Sequence, residues 1–240
     1  MNGYIAFTFL SQGGTGMNKE ELNKNFYQAC KDGDLALVKK YLEEGADMES
    51  TNTEGRTALM RASKRGYDDV VKYLLEKGAD VRARDDKNKT ALMGAAKKGR
   101  YDICKMLIDA GVNINAHDNH GRTALIRAAY EGQVEVVELL IDSGADLEGR
   151  DESGRTALIE AINASKVETF HLLLSKGADI NVQDNKGCTC LMRACYAGYE
   201  DEIVYLLNRG AKTDIKDNNG KMAVDYFRGE IPAGLKDTFK

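Results

Sequence analysis

Three cysteines near one another, Cys188, Cys190 and Cys195, have the residue type and proximity of a zinc site. Three histidines, His117, His120 and His171, could add ligands, but none has the H-E-x-x-H spacing that puts two imidazoles on one helix face. Near the start, Ser11-Gln12-Gly13-Gly14-Thr15-Gly16 follows an apolar stretch, an order in which backbone amides can cradle a phosphate. Its ending is wrong for that purpose, because Met17 and Asn18 stand where a phosphate loop needs Lys and then Ser or Thr. Carboxylates such as Asp68, Asp69, Glu135, Glu138, Glu200 and Asp201 are numerous enough to suggest acid–base pairs. The last group is cationic and aromatic: Arg56, Lys89, Arg122 and Arg155, then Arg127 and Arg193, with Tyr130 and Tyr196. Arginine and tyrosine side chains of this kind anchor protein interfaces, and a basic row can also hold a polyanion.

The elements that must position these side chains repeat. Thr57, Thr90, Thr123, Thr156 and Thr189 are 33 residues apart every time, and Leu59, Leu92, Leu125, Leu158 and Leu191 keep the same register. Glycines close the units at Gly45, Gly78, Gly111, Gly144, Gly177 and Gly210. A fixed period of this length marks a stacked-repeat solenoid. In the third unit, Asp118-Asn119-His120-Gly121 is a turn signal, Asp first and Gly fourth. Thr123 is placed to cap a first helix over about 123–131, and a second helix is expected over about 134–143. Neither is long enough to stand alone in water, where about 12–15 residues are marginal, so stability must come from neighbouring units.

The period disposes of most of the chemistry. Cys190 and Cys195 fall where other units have Ala58 and Ser63, or Ala91 and Ala96, so they read as small buried apolar residues. The second-helix carboxylates recur unit by unit, as a solvated outer face does. No nucleophile, base and orienting group stand together, so no catalytic site, metal or cofactor is expected. The histidines of the 117–120 turn read as solvated.

With 34 Lys and Arg against 38 Asp and Glu, the formal net charge is −4, so any basic footprint must be local. Five cysteines in different repeat positions argue against a disulfide framework and for a reducing compartment, taken as cytoplasmic. No apolar run approaches the ~20 residues a membrane-crossing helix needs. Residues 1–18 read as a flexible leader, with Met17 as an alternative start. Met1 to Phe9 lacks the basic start and the cleavage site of a signal peptide.

Turn, Gly-x-Thr-x-Leu-x-x-Ala, short helix, Gly, a longer helix with Val-Val-x-Leu-Leu, then Gly-Ala-Asp: this pattern resembles the ankyrin repeat. The resemblance covers residues 19–228, with an N-terminal cap at 19–51, full repeats at 52–84, 85–117, 118–150, 151–183 and 184–216, and a C-terminal cap at 217–228. Residues 229–240 are expected to form a frayed tail. The resemblance implies an all-α solenoid of helix-turn-helix units with projecting β-hairpin turns and a concave face lined by first helices. It also implies protein recognition without catalysis.

Two departures stand out. The family commonly has Thr-Pro-Leu-His where this chain has Thr-Ala-Leu-Met, Thr-Ala-Leu-Ile or Thr-Cys-Leu-Met, so Met60, Met93, Ile126, Ile159 and Met192 should pack between units instead. Ser165 replaces the glycine found at Gly66, Gly99, Gly132 and Gly198, which marks a weak point or bend.

By the family's geometry the cationic residues lie on the turns and the concave face, opposite the acidic second helices. Arg56, Lys89, Arg122, Arg127, Tyr130, Arg155, Arg193 and Tyr196 are therefore the expected partner-binding residues of a monomeric adaptor for an acidic protein. Binding of nucleic acid or another polyanion to the same ladder stays open, as does a regulatory role for the leader. So does a purely solvated ladder, with Arg122 paired to Asp118 and Arg155 to Asp151 across their own turns.

Overall fold

The computed structural model describes residues 16–239. All of the glycine-rich stretch at 11–16 except Gly16, and most of the leader, therefore lie outside the described residues. Its last residues take part in the fold: the Asn18 side chain accepts from the Glu21 amide at 2.9 Å and caps the first helix.

Helices come in pairs, one pair to a unit. The N-terminal unit has α1 (Lys19–Asp32) and α2 (Leu35–Glu43). The five full repeats have α3 (Ala58–Arg65) and α4 (Asp68–Glu76), α5 (Ala91–Lys97) and α6 (Tyr101–Asp109), then α7 (Ala124–Glu131) and α8 (Val134–Asp142). They continue with α9 (Ala157–Asn163) and α10 (Val167–Ser175), then α11 (Cys190–Ala197) and α12 (Glu200–Asn208). Each first helix of a full repeat starts because its threonine hydroxyl accepts the amide three residues on, as Thr123 Oγ1 does from Ile126 at 3.3 Å. Most end at a left-handed glycine. In the fourth repeat Ser165 must take that conformation, with φ of 56°, and its hydroxyl meets Tyr199 Oη of the next unit. A side chain with a Cβ is strained there, which bears out the irregularity expected at this turn.

The first helices stack as one layer, α1–α3–α5–α7–α9–α11, and the second helices stack behind them. First helices lie closer together than second helices do, because alanines such as Ala62, Ala95 and Ala128 face the contacts. A chain packed more tightly along one side bends toward it, so the first helices form the inner face. Met60, Met93, Ile126, Ile159 and Met192 are all buried between units, as the departure from Thr-Pro-Leu-His suggests. The α9–α11 contact is looser than its neighbours: Ile162 stands where other units have Ser63, Ala96 and Ala129.

The turns project but hardly form β-hairpins. Asp118 N donates to Arg122 O and Gly121 N to Asp118 O, which closes a turn too short for a ladder. Among the described residues the one β-bridge joins Thr51 and Thr57. Successive turns are tied by a single backbone bond each: Asn119 N to Lys87 O, Glu152 N to His120 O (2.9 Å), Asn185 N to Ser153 O and Asn218 N to Lys186 O.

The C-terminal end differs from expectation in two ways. Met222 has no hydroxyl to cap a helix, and Ala223–Tyr226 forms only a 3₁₀ turn packed on α11. Among the described residues beyond Gly229, where a tail was expected, Leu235 is buried and the Phe239 ring meets Phe227 edge-on at 5.4 Å. Apolar side chains here cover the end of the stack, where the next unit would otherwise lie.

Candidate functional site

The site grows from the first residue of each turn. Asp85, Asp118, Asp151, Asp184 and Asp217 recur in register and are buried. In every one, Oδ1 accepts two amides of its own turn; Asp118 takes those of His120 and Arg122, both at 2.9 Å. Asn52 does the same in the first repeat, for Glu54 and Arg56. The second carboxylate oxygen remains, and a buried carboxylate needs a counter-charge.

In three units the partner is the residue nine positions on, and in two it is another side chain. Asp85 Oδ2 takes Arg56 Nε of the preceding turn at 3.2 Å, and Asp118 Oδ2 takes Arg127 of its own first helix. Asp151 Oδ2 pairs with Arg155 at 2.9 Å, as expected, and Asp184 Oδ2 takes Arg193. Asp217 Oδ2 accepts from Tyr226 Oη at 2.7 Å. Burial pushes the Asp118 carboxyl up, but the Arg122 and His120 amides and the Arg127 charge outweigh it and hold the group below its ordinary value.

The eight expected binding residues therefore divide. Arg56, Arg127, Arg155 and Arg193 neutralise buried aspartates. Arg122 does not pair with Asp118 through its side chain; its guanidinium lies 3.9 Å from Asp151 of the next unit, while its amide serves Asp118. Lys89 has no carboxylate within ion-pair distance among the described residues. Tyr130 and Tyr196 are 51% and 52% exposed, large enough to anchor a contact.

All eight line clefts on the inner face. Arg56, Lys89 and Arg127 border a cleft of about 110 Å³ at α3 and α5. Arg122, Arg127 and Tyr130 border one of about 50 Å³. Arg155, Arg193 and Tyr196 border an open cleft of about 1030 Å³ where α9 and α11 separate. Arg228 from the C-terminal unit lies over the Tyr196 ring, 3.8 Å from its centroid, and closes one side of the large cleft.

Sequence reading missed several contributors. The turn aspartates read as turn formers, with Asp118 and Asp151 also as own-turn partners of Arg122 and Arg155, but not as a buried row, although their register with the threonines was visible. Glu160 occupies the position of Arg127 and Arg193 and puts a carboxylate into the ladder. Its carboxyl lies 2.7 Å from Arg155, and burial raises its pKa. Tyr226 lies 33 residues after Arg193, at the same repeat position, and Arg228 belongs to the irregular end, where no repeat position announces it.

The other candidate chemistry dissolves into packing. Burial pushes the thiols of Cys30, Cys104, Cys190 and Cys195 up to about 12, far from a reactive thiolate. Cys188 Sγ lies 3.2 Å from Tyr226 Oη. His120 Nδ1 meets Glu152 at 2.9 Å, and His171 stacks on Tyr205 with centroids 3.9 Å apart. Among the described residues no three His, Cys, Asp or Glu side chains are grouped to hold a metal, and no helix is long and apolar enough to cross a membrane.

Comparison with known families gives two matches that together span residues 26–227: "Ankyrin repeats (3 copies)" over 26–118 and 111–184, and "Ankyrin repeats (many copies)" over 173–227. The chain belongs to the ankyrin-repeat family. No protein of curated function matches its sequence. Ankyrin repeats are in general modules of protein–protein interaction.

Proposed function

We propose that this ankyrin-repeat protein is a non-enzymatic adaptor, monomeric and cytoplasmic, that receives an acidic protein partner on its turns and inner face. One observation carries the reading: all eight cationic and tyrosine side chains line three clefts on that face. Tyr130 and Tyr196 supply the contact area, Lys89 supplies charge that no close internal carboxylate claims, and Arg122 supplies charge held only by the 3.9 Å contact with Asp151. The arginines bound to aspartates hold the turns in shape and present the remaining guanidinium edges.

The test compares what wild type and variants capture from the native source. Reversing Arg155 is unsuitable, because it would strand Asp151 and Glu160 in the interior. Lys89→Glu with Arg122→Glu keeps the Arg155 pairs with Asp151 and Glu160, gives up the 3.9 Å contact of Arg122 with Asp151, and is expected to slow association and flatten its salt dependence. Tyr196→Ala is expected to weaken capture by about 2 kcal/mol, as an interface anchor does. Both variants should melt close to wild type. Unchanged capture by both would move the interface to the outer helices, and loss that is linear in log salt with any nucleic acid would favour the polyanion reading.

A further inference from the structure

The smallest repeat departure makes the most specific cavity. At the first-helix position filled by Arg61, Arg127, Glu160 and Arg193, the second repeat has Gly94. Glycine inside a helix is disfavoured, since it adds backbone entropy and buries nothing. Its effect here is room. A Cβ at Gly94 would lie 3.3 Å from Lys64 Cβ, so any longer side chain would fill the cleft at α3 and α5.

The cleft that Gly94 leaves is lined mainly by cations. Arg56 is held by Asp85 and Glu54, and Lys97 pairs with Glu131 at 3.2 Å. Arg61, Lys64 and Lys89 have no carboxylate within ion-pair distance among the described residues; the Arg61 guanidinium instead donates to Tyr27 Oη at 3.3 Å. Arg127 also borders the cleft, and its Nε is buried without a hydrogen-bond partner. Burial, followed by the charges of Arg56 and Arg61, holds Lys64 below the usual lysine value. Burial and then Arg127 do the same to Lys89, against the pull of Asp85. Cations crowded this way are relieved by an anion of more than one charge.

We infer that this cleft receives a phosphorylated side chain of the protein partner, a phosphomonoester held by Arg61, Lys64 and Lys89. A carboxylate brings one charge and two oxygens. A phosphomonoester brings about −1.5 to −2 and three acceptor oxygens, a better match for three cations around one small space. At about 110 Å³ the cleft suits one side-chain head group rather than a folded element. The inference rests on the reading that the inner face receives a protein, and adds the chemistry of one contact.

The probe is a blocked, otherwise neutral peptide with one phosphoserine, titrated against the full chain by ³¹P resonance. Its serine and glutamate counterparts and a short single-stranded oligonucleotide compete with it. The phosphopeptide is expected to bind about tenfold tighter than the glutamate peptide, a difference of ~1.4 kcal/mol. Lys64→Gln with Lys89→Gln should remove that preference, while Lys216→Gln, far along the stack, should not. Gly94→Leu is the sharper variant, because it changes no charge: it should lose about tenfold in affinity, that same ~1.4 kcal/mol. Equal binding of the glutamate peptide, an unaffected Gly94→Leu that melts like wild type, or tighter binding of the oligonucleotide would each overturn the assignment. If the probe fails while Lys89→Glu with Arg122→Glu still weakens partner capture, the phosphoryl site alone falls. If the probe binds and capture is untouched, the docking reading alone falls.

Discussion

At the scale of single residues, two buried carboxylates on one face respond to acid in opposite senses. Asp118 lies below its ordinary pKa in the folded chain, so its stabilising contribution is complete above the unfolded value and is lost as pH falls through the folded one. Glu160 lies above its ordinary pKa, so its ionised form costs stability near neutrality, and that cost is relieved as pH falls through the raised value. Asp118→Asn is expected to cost about 3 kcal/mol at neutral pH, the low end for breaking a buried pair, because Arg127 keeps some contact with water. Glu160→Gln should instead raise the melting temperature at neutral pH. Its advantage should shrink as the solution is taken toward the ordinary carboxylate range. Melting curves of both variants against pH check the two signs; a Glu160→Gln variant less stable than wild type at neutral pH would mean that Arg155 needs that carboxylate more than burial penalises it.

At the scale of elements, the turn glycines and the helix-end glycines share a left-handed backbone and differ in what surrounds them. Gly187 has φ of 76°, and a Cβ there would lie 2.8 Å from the Asn218 amide of the next turn. Gly144 has φ of 91° with nothing within 4 Å of such a Cβ. Gly144→Ala should therefore cost about 1–2 kcal/mol, the backbone penalty alone. Gly187→Ala must also push two turns apart and should cost about 3 kcal/mol or more, read by denaturant melts. What the sequence made legible was of the local kind: threonine caps, glycine stops and apolar helix faces each depend on a few neighbouring residues. Apart from the Arg155 partner of Asp151, the cation chosen by each aspartate was not legible. It comes from the preceding unit for Asp85, from four residues on for Asp151 and from nine residues on for Asp118, a choice that only side-chain packing makes. Glu160 could have been read from register alone, since it lines up with Arg127 and Arg193. Leu235 and Phe239 could not, because no repeat position refers to them.

At the scale of the whole molecule, the stack is closed at its C-terminal end by an irregular unit that also reaches the inner face. Tyr226 completes Asp217 and touches Cys188, and Arg228 covers Tyr196. Ending the chain after residue 216 should lower the melting temperature and also change the large cleft, so a partner bound there would be lost before the rest of the solenoid unfolds; circular dichroism and capture measured together separate the two effects. The single backbone bond from each turn to the next has a different consequence. Glu152 N reaches His120 O just as Asn185 N reaches Ser153 O, so every turn offers the same socket above and the same plug below. The length of this protein is thereby quantised. A gain or loss of a whole unit leaves every plug facing a socket, whereas residues added or removed within a turn leave one joint unmade.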